Sequence, residues 1–294
     1  MSMGRASFRN VHFYNALTGE CLGGFYQKGS LTEETMIRIL TNILLIVEQP
    51  FTSSTECQIG LLPLQKAQLS LGIMTYLPPL VHLGRIHLNE EPWVARLISY
   101  SASDREDQFR SAIRARDRKC VISGRVNNLI QLDMWPAFHA AHVFPLECEG
   151  VWREFNYGRW ITNMDDAVGI SKINSTQNGL LMDASLHNVF DQYLFSIDPD
   201  DDYKLISFFP DDMTIDGRIL DPVCRDPTDP NCVSDELLRW HFRQSVLANM
   251  RGAGEPVFES DFPAGTDRMA TLREESYGKE RFKIEINSRL RPVD

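Results

Sequence analysis

Residues 178–191, NGLLMDASLHNVFD, constrain their own fold more tightly than any other stretch of the chain. Asp183 stands where a helix N-cap belongs, and the helix that follows would turn Leu186 and Phe190 toward a core. Residues four apart on a helix share a face, so His187 and Asp191 can address one ligand together. An imidazole beside a carboxylate suits a divalent cation and leaves positions open for water or substrate oxygens. Some forty residues upstream, FHAAHVFP at 138–145 adds His139 and His142. A lone H-x-x-x-D carries little information, but with His142 and Asn178 before it the set becomes specific.

The rest of the chain bounds the setting. At 294 residues and 43% apolar content it can bury one large core or two modest ones. No apolar run approaches a bilayer span, and MSMGRASFRNVHFY lacks the basic head and apolar stretch of an export signal. No membrane partner and an intracellular, cytoplasmic location are therefore expected, or a nuclear one if the chain acts on nucleic acid. Six scattered cysteines without a CxxC predict free thiols. Cys224 and Cys232 bracket CRDPTDPNC, a turn-rich loop that reads as surface, with a disulfide or zinc site as the alternative. Net charge is −10, and −9 of it falls between Asp198 and Glu236, directly after the candidate site.

Three regions follow from the patterning. Residues 1–102 form an α+β scaffold, with a strand pair across 7–15 and 22–27 and a helix opened by a Ser30/Glu33 capping box and stopped at Pro50. The apolar stretch broken by Pro78 and Pro79 reads as strand or irregular core. Residues 103–200 begin with a helix over 103–119 that carries Phe109 and Ile113 on one side and Arg110 and Arg114 on another, and they contain the His/Asn/His set. Residues 201–294 continue an acidic hairpin begun at Phe195, add a helix after Ser234 with Leu237, Leu238, Phe242 and Val246 inward, and end in a mixed-charge tail.

Three segments, RDRKCVISG at 116–124, AAHVFP at 140–145 and NGLLMDASLHNVFDQYLFSI at 178–197, together resemble the HNH endonucleases, in particular the stand-alone HNH-like proteins of fungi. The resemblance implies a ββα-metal core inside a larger α+β domain, its hairpin carrying the first histidine and its helix the last. It implies that His142 is the general base, that Asn178 orients the loop or the base, and that His187, with Asp191, holds Mg²⁺ or a similar ion against the scissile phosphate.

Two positions depart from that pattern. The residue before the first histidine, often a metal-binding Asp in the family, is Ala141, and the position two before it is His139. On a regular strand His139 and Ala141 share one face and His142 points to the other, so His139 replaces the missing ligand only if the hairpin bends. The zinc-binding CxxC pairs that brace many such cores are also absent, leaving Cys120.

The missing ligand and the acidic stretch favour a fold turned to cofactor-independent small-molecule chemistry, such as a Diels–Alder-type cyclisation or an isomerisation in fungal secondary metabolism. In that reading His142, Asn178 and His139 act on an apolar substrate. Trp135, Phe138, Phe144, Trp152, Tyr157 and Trp160 wall the pocket, and no cofactor is required. The competing expectations are a metal-dependent endonuclease with Arg110, Arg114, Arg116 and Arg118 on the phosphate backbone, and a non-catalytic binding protein.

Overall fold

The computed structural model describes residues 8–15, 21–47, 73–77, 86–89, 91, 93–94, 104–163, 171–210 and 213–250. The expected helix stop at Pro50, the Pro78–Pro79 break and the charged tail lie outside them. The chain divides into two units, the first formed by 1–93, 208–211 and 246–294 and the second by 94–207 and 212–245. No helix among the described residues is long and apolar enough to cross a membrane.

In the first unit the expected strand pair is present. Strand β1 (Val11–Asn15) pairs antiparallel with β2 (Cys21–Phe25), and Phe13 stacks on Phe25 at 5.7 Å. Helix α1 (Glu33–Ile39) differs from expectation at both ends. Its cap is Thr32, two residues past the expected Ser30, and its hydroxyl accepts the Thr35 amide at 3.1 Å. Its far end widens into a π-turn at Leu40–Leu44, and Leu45–Val47 leave as β3. The β-branched residues that fill this stretch have weak helix preference, and Thr41 bonds back to the Ile37 carbonyl at 3.0 Å. Strand β4 (Ile73–Leu77) runs parallel to β1, while β5 (Ile86–Leu88) pairs antiparallel with β3.

The second unit opens with α2 (Asp104–Asp117), whose Phe109 and Ile113 are buried. Strand β6 (Phe138–His142) is followed by the short α3 (Glu149–Glu154) and then by β7 (Gly179–Asp183), every residue of which is buried. Strands β6 and β7 pair antiparallel with His142 opposite Gly179, and α4 (Ala184–Asp191) follows directly. This is the expected ββα order in a mixed α+β chain. Asp183 occupies the N-cap position of α4, but its side chain does not cap; it accepts the Ser123 hydroxyl at 2.7 Å and pairs with Arg125 at 2.8 Å. The hairpin of β8 (Phe195–Asp198) and β9 (Lys204–Ser207) comes next. Helix α5 (Asp235–Met250) begins in this unit and ends in the first, and its four expected apolar residues are buried.

Arg116 and Asp117, at the end of α2, tie these pieces together. The two side chains are 4% and 0% exposed and meet at 2.6 Å. The guanidinium also donates to the carbonyls of Thr176, Gly179 and Asn231 at 2.7–2.9 Å, and Asp117 accepts the Leu181 amide at 2.7 Å. Arg116 is thus spent on backbone carbonyls and cannot be the phosphate contact expected of it.

The acidic stretch is also largely engaged. Asp200 pairs with Arg239, Asp201 with Lys204 and Asp221 with Lys119, while Asp226 and Asp229 accept amides in their own turns. Cys120, Cys148, Cys224 and Cys232 are free thiols, and buried Cys224 donates to the Asp221 carbonyl at 3.2 Å, so the 224–232 loop forms no disulfide. Truncating one partner of a buried, multiply bonded ion pair costs about 3–5 kcal/mol. Arg116→Met is therefore expected to lower unfolding free energy by about that amount in urea titration.

Candidate active site

Strand β6 pairs with β7 residue for residue without a register shift, so His139 and Ala141 share one face. Ala141 is buried on it and His139 is half-buried. His139 meets α4 from this face. His139 Nδ1 lies 3.1 Å from His187 Nδ1, with the rings edge to face at 5.3 Å. On the far side of the same imidazole, His187 Nε2 meets Asp191 Oδ2 at 3.1 Å. His187 therefore stands between His139 on its Nδ1 side and the Asp191 carboxylate on its Nε2 side. Burial holds the His139 imidazole below the ordinary histidine value; the neighbouring His187, Arg110 and Arg114 add to the effect and Asp191 opposes it.

His142 makes different contacts. Its Nε2 is 3.0 Å from Asn174 Oδ1, and its ring lies flat on Phe109, centroids 3.9 Å apart at 8°. Phe109 reaches it because the facing residue in β7 is glycine; a Cβ on Gly179 would overlap the Phe109 ring and press on Ile113. Asn178 is fully buried, and its side chain binds Phe144 and Ile173: Oδ1 accepts the Phe144 amide at 2.7 Å, and Nδ2 donates to the carbonyls of Phe144 and Ile173. It therefore pins the segment after His142 to the 173–178 turn. The expected residue set thus divides among a His139–His187–Asp191 chain, His142 on Asn174, and Asn178 as a loop clamp. Asn174 was not legible from the motif, because only the folded turn brings it to His142.

The aromatic residues expected to wall a pocket largely pack against one another. Phe138, Phe144 and Trp152 are buried, and Phe144 contacts Trp152, Tyr157 and Trp240 at 4.4–5.4 Å. Tyr157 and Trp160 stack at 4.5 Å at the edge of this cluster. Trp135 lies under the Arg114 guanidinium at 5.2 Å, and Arg114 Nε is buried with no hydrogen-bond partner.

Among the described residues no three His, Cys, Asp or Glu side chains converge on one ion position. The reason is the orientation of His187, which presents Nδ1 to His139 and Nε2 to Asp191. Two imidazole nitrogens, Nδ1 of His139 and Nδ1 of His187, would hold an ion there. The Asp191 carboxylate lies on the far side of His187, not at the shared nitrogen position that the helix spacing suggested for it.

The HNH endonuclease family model matches residues 120–198, so this stretch is similar to the HNH endonucleases. It contains His139, His142, Asn174, Asn178, His187 and Asp191 and leaves α2 outside. No curated protein and no solved structure matches the chain.

Overpacking a dense core typically costs about 1–3 kcal/mol. Gly179→Ala is expected to cost that much in denaturant midpoint analysis and to displace Phe109 from His142. The His139 shift also has a defined sign: its folded pKa lies below the unfolded value, so folding favours the neutral ring. The stability it supports is intact above about pH 6.5 and is lost as pH falls through the folded value. His139→Asn is expected to flatten that part of the decline, read as urea midpoints at about pH 7.5 and about pH 5.

Proposed function

We propose that the HNH-like stretch at 120–198 hydrolyses phosphodiester bonds of nucleic acid, using a divalent ion held by His139 and His187 and His142 as the general base. One observation carries the reading: the ring nitrogens of His139 and His187 meet at 3.1 Å, with Asp191 behind and the guanidinium groups of Arg110 and Arg114 close enough to depress His139. His139 thereby stands in for the carboxylate that Ala141 lacks. When bound, the ion would supply positive charge to the phosphoryl and leaving oxygens. His142 takes the proton from the attacking water, held flat against Phe109. Arg110 and Arg114 supply donors for the phosphate backbone; Arg114, stacked on Trp135 with Nε unpaired, is the better placed of the two.

The donor set also speaks to which ion. Imidazole nitrogen suits zinc or nickel, whereas magnesium prefers oxygen ligands, so Zn²⁺ or Ni²⁺ is expected to bind ahead of Mg²⁺. The local pairing of the acidic stretch lowers its weight against a polyanion. Cofactor-independent cyclisation needs an aromatic-walled cleft, and three of the six aromatic residues named for it are committed to the core.

The test is plasmid nicking by the purified chain with Zn²⁺, Ni²⁺, Mn²⁺ or Mg²⁺, paired with calorimetric titration of each ion. His142→Ala is expected to lower turnover by about 10²–10⁴-fold with ion affinity unchanged. His139→Ala is expected to abolish tight ion binding. Absence of nicking with every ion, or nicking that survives excess chelator, overturns the reading.

A further inference from the structure

We infer that Asn174 is the residue that orients His142 and decides which of its nitrogens is the base. The inference takes the reaction from the phosphodiesterase reading but stands on geometry that is independent of it.

An imidazole acts as a base through one nitrogen, and the partner of the other nitrogen determines which one. His142 Nε2 lies 3.0 Å from Asn174 Oδ1. An amide oxygen has lone pairs and no hydrogen, so the hydrogen of this bond sits on Nε2 and the basic lone pair on Nδ1. The bond holds the Nε2 edge of the ring, while the Phe109 ring, 8° from parallel at 3.9 Å, closes one face. A contact on the edge and a contact on the face together stop the imidazole from swinging or flipping.

Asn174 can serve this way because its own position is over-determined. It is 7% exposed, in a turn where Lys172 adopts a left-handed φ of 60° and its carbonyl accepts the Ser175 amide at 3.1 Å. The preceding carbonyl, Ile173, is held by Asn178 Nδ2 at 2.9 Å, and Asn178 in turn holds both backbone groups of Phe144, two residues after His142. Asn178 therefore sets the distance between the β6 end and the 173–178 turn, and Asn174 converts that distance into a hydrogen bond on the base. Asn174 is a positioning residue: it acts through His142, as the third member of a nucleophile–base–orienter arrangement does.

Two substitutions in the full-length chain separate orientation from packing. Asn174→Leu removes the oxygen and keeps the volume; Asn174→Asp keeps the oxygen. The tautomer of His142 is read from long-range ¹⁵N–¹H NMR correlations of the ring, with urea midpoints as the check on folding and kcat and KM for nicking beside them. Wild type is expected to carry the hydrogen on Nε2. The leucine variant is expected to show mixed tautomers and roughly a 10- to 100-fold lower kcat with KM and ion affinity unchanged, the range seen when a histidine loses its orienting partner. The aspartate variant is expected to keep the Nε2 tautomer. Hydrogen on Nδ1 in wild type, or an unmoved tautomer and kcat in the leucine variant, overturns the inference while leaving the phosphodiesterase reading standing. A tautomer that shifts as stated in a protein that never nicks DNA or RNA upholds the inference and removes that reading.

Discussion

The candidate site hangs on one buried ion pair. Arg116 and Asp117 are neighbours in sequence at the last turn of α2, and between them they bind β7 at Gly179 and Leu181, the turn at Thr176 and the acidic loop at Asn231. The guanidinium supplies a donor to each of those carbonyls, adding to the Gly179 amide that Thr176 already accepts, and inside the packed core a lost hydrogen bond costs more than it does at the surface. A planar guanidinium with five donors is the side chain suited to meet three carbonyls and a carboxylate at once. Because β7 leads into α4 and faces β6, its anchorage places every histidine of the site.

The second constraint is a close approach. Helix α2 packs on β7 at Gly179, and the space left by the missing side chain admits Phe109 to the face of His142. Asn178, one residue earlier, joins the turn before β7 to the segment after β6. Two consecutive residues, one with an amide and one without a side chain, thus position His142 from opposite directions. Cys120 serves as a smaller brace: its sulfur accepts the amides of Ser123 and Asp183 at 3.3 Å, holding the turn after α2 against the end of β7 without a metal.

Charge counted along the chain and charge arranged in space lead to different expectations. The −9 stretch after the motif suggests a site closed to polyanions. In the fold, Lys119 and Arg239 from outside that stretch neutralise two of its aspartates, and others are used as turn acceptors. The basic helix moves the opposite way, since Arg116, counted as a phosphate contact, is buried. Arg110, paired with Asp107 at 2.9 Å, and Arg114 stand beside His139, and Arg118 is exposed at the helix end.

By itself the sequence determined the features that repeat at short range. Helical periodicity set α2 and α5, the His187/Asp191 spacing set a shared face on α4, and the order of the three motif segments set the ββα core. These need only neighbours within about one or two turns, so they are legible without a partner. Tertiary structure decided everything that depends on a distant contact. Leu45–Val47 leave the helix because Ile86–Leu88 offer a strand to pair with. Asp183 gives up its cap to Ser123 and Arg125. His139 joins His187 across 48 residues because β6 pairs with β7, which leads into α4, and Asn174 meets His142 across 32 because Asn178 holds its turn. A motif names the residue types a reaction needs; which atom of each faces which is settled by loop closure and packing, and those are properties of the whole fold.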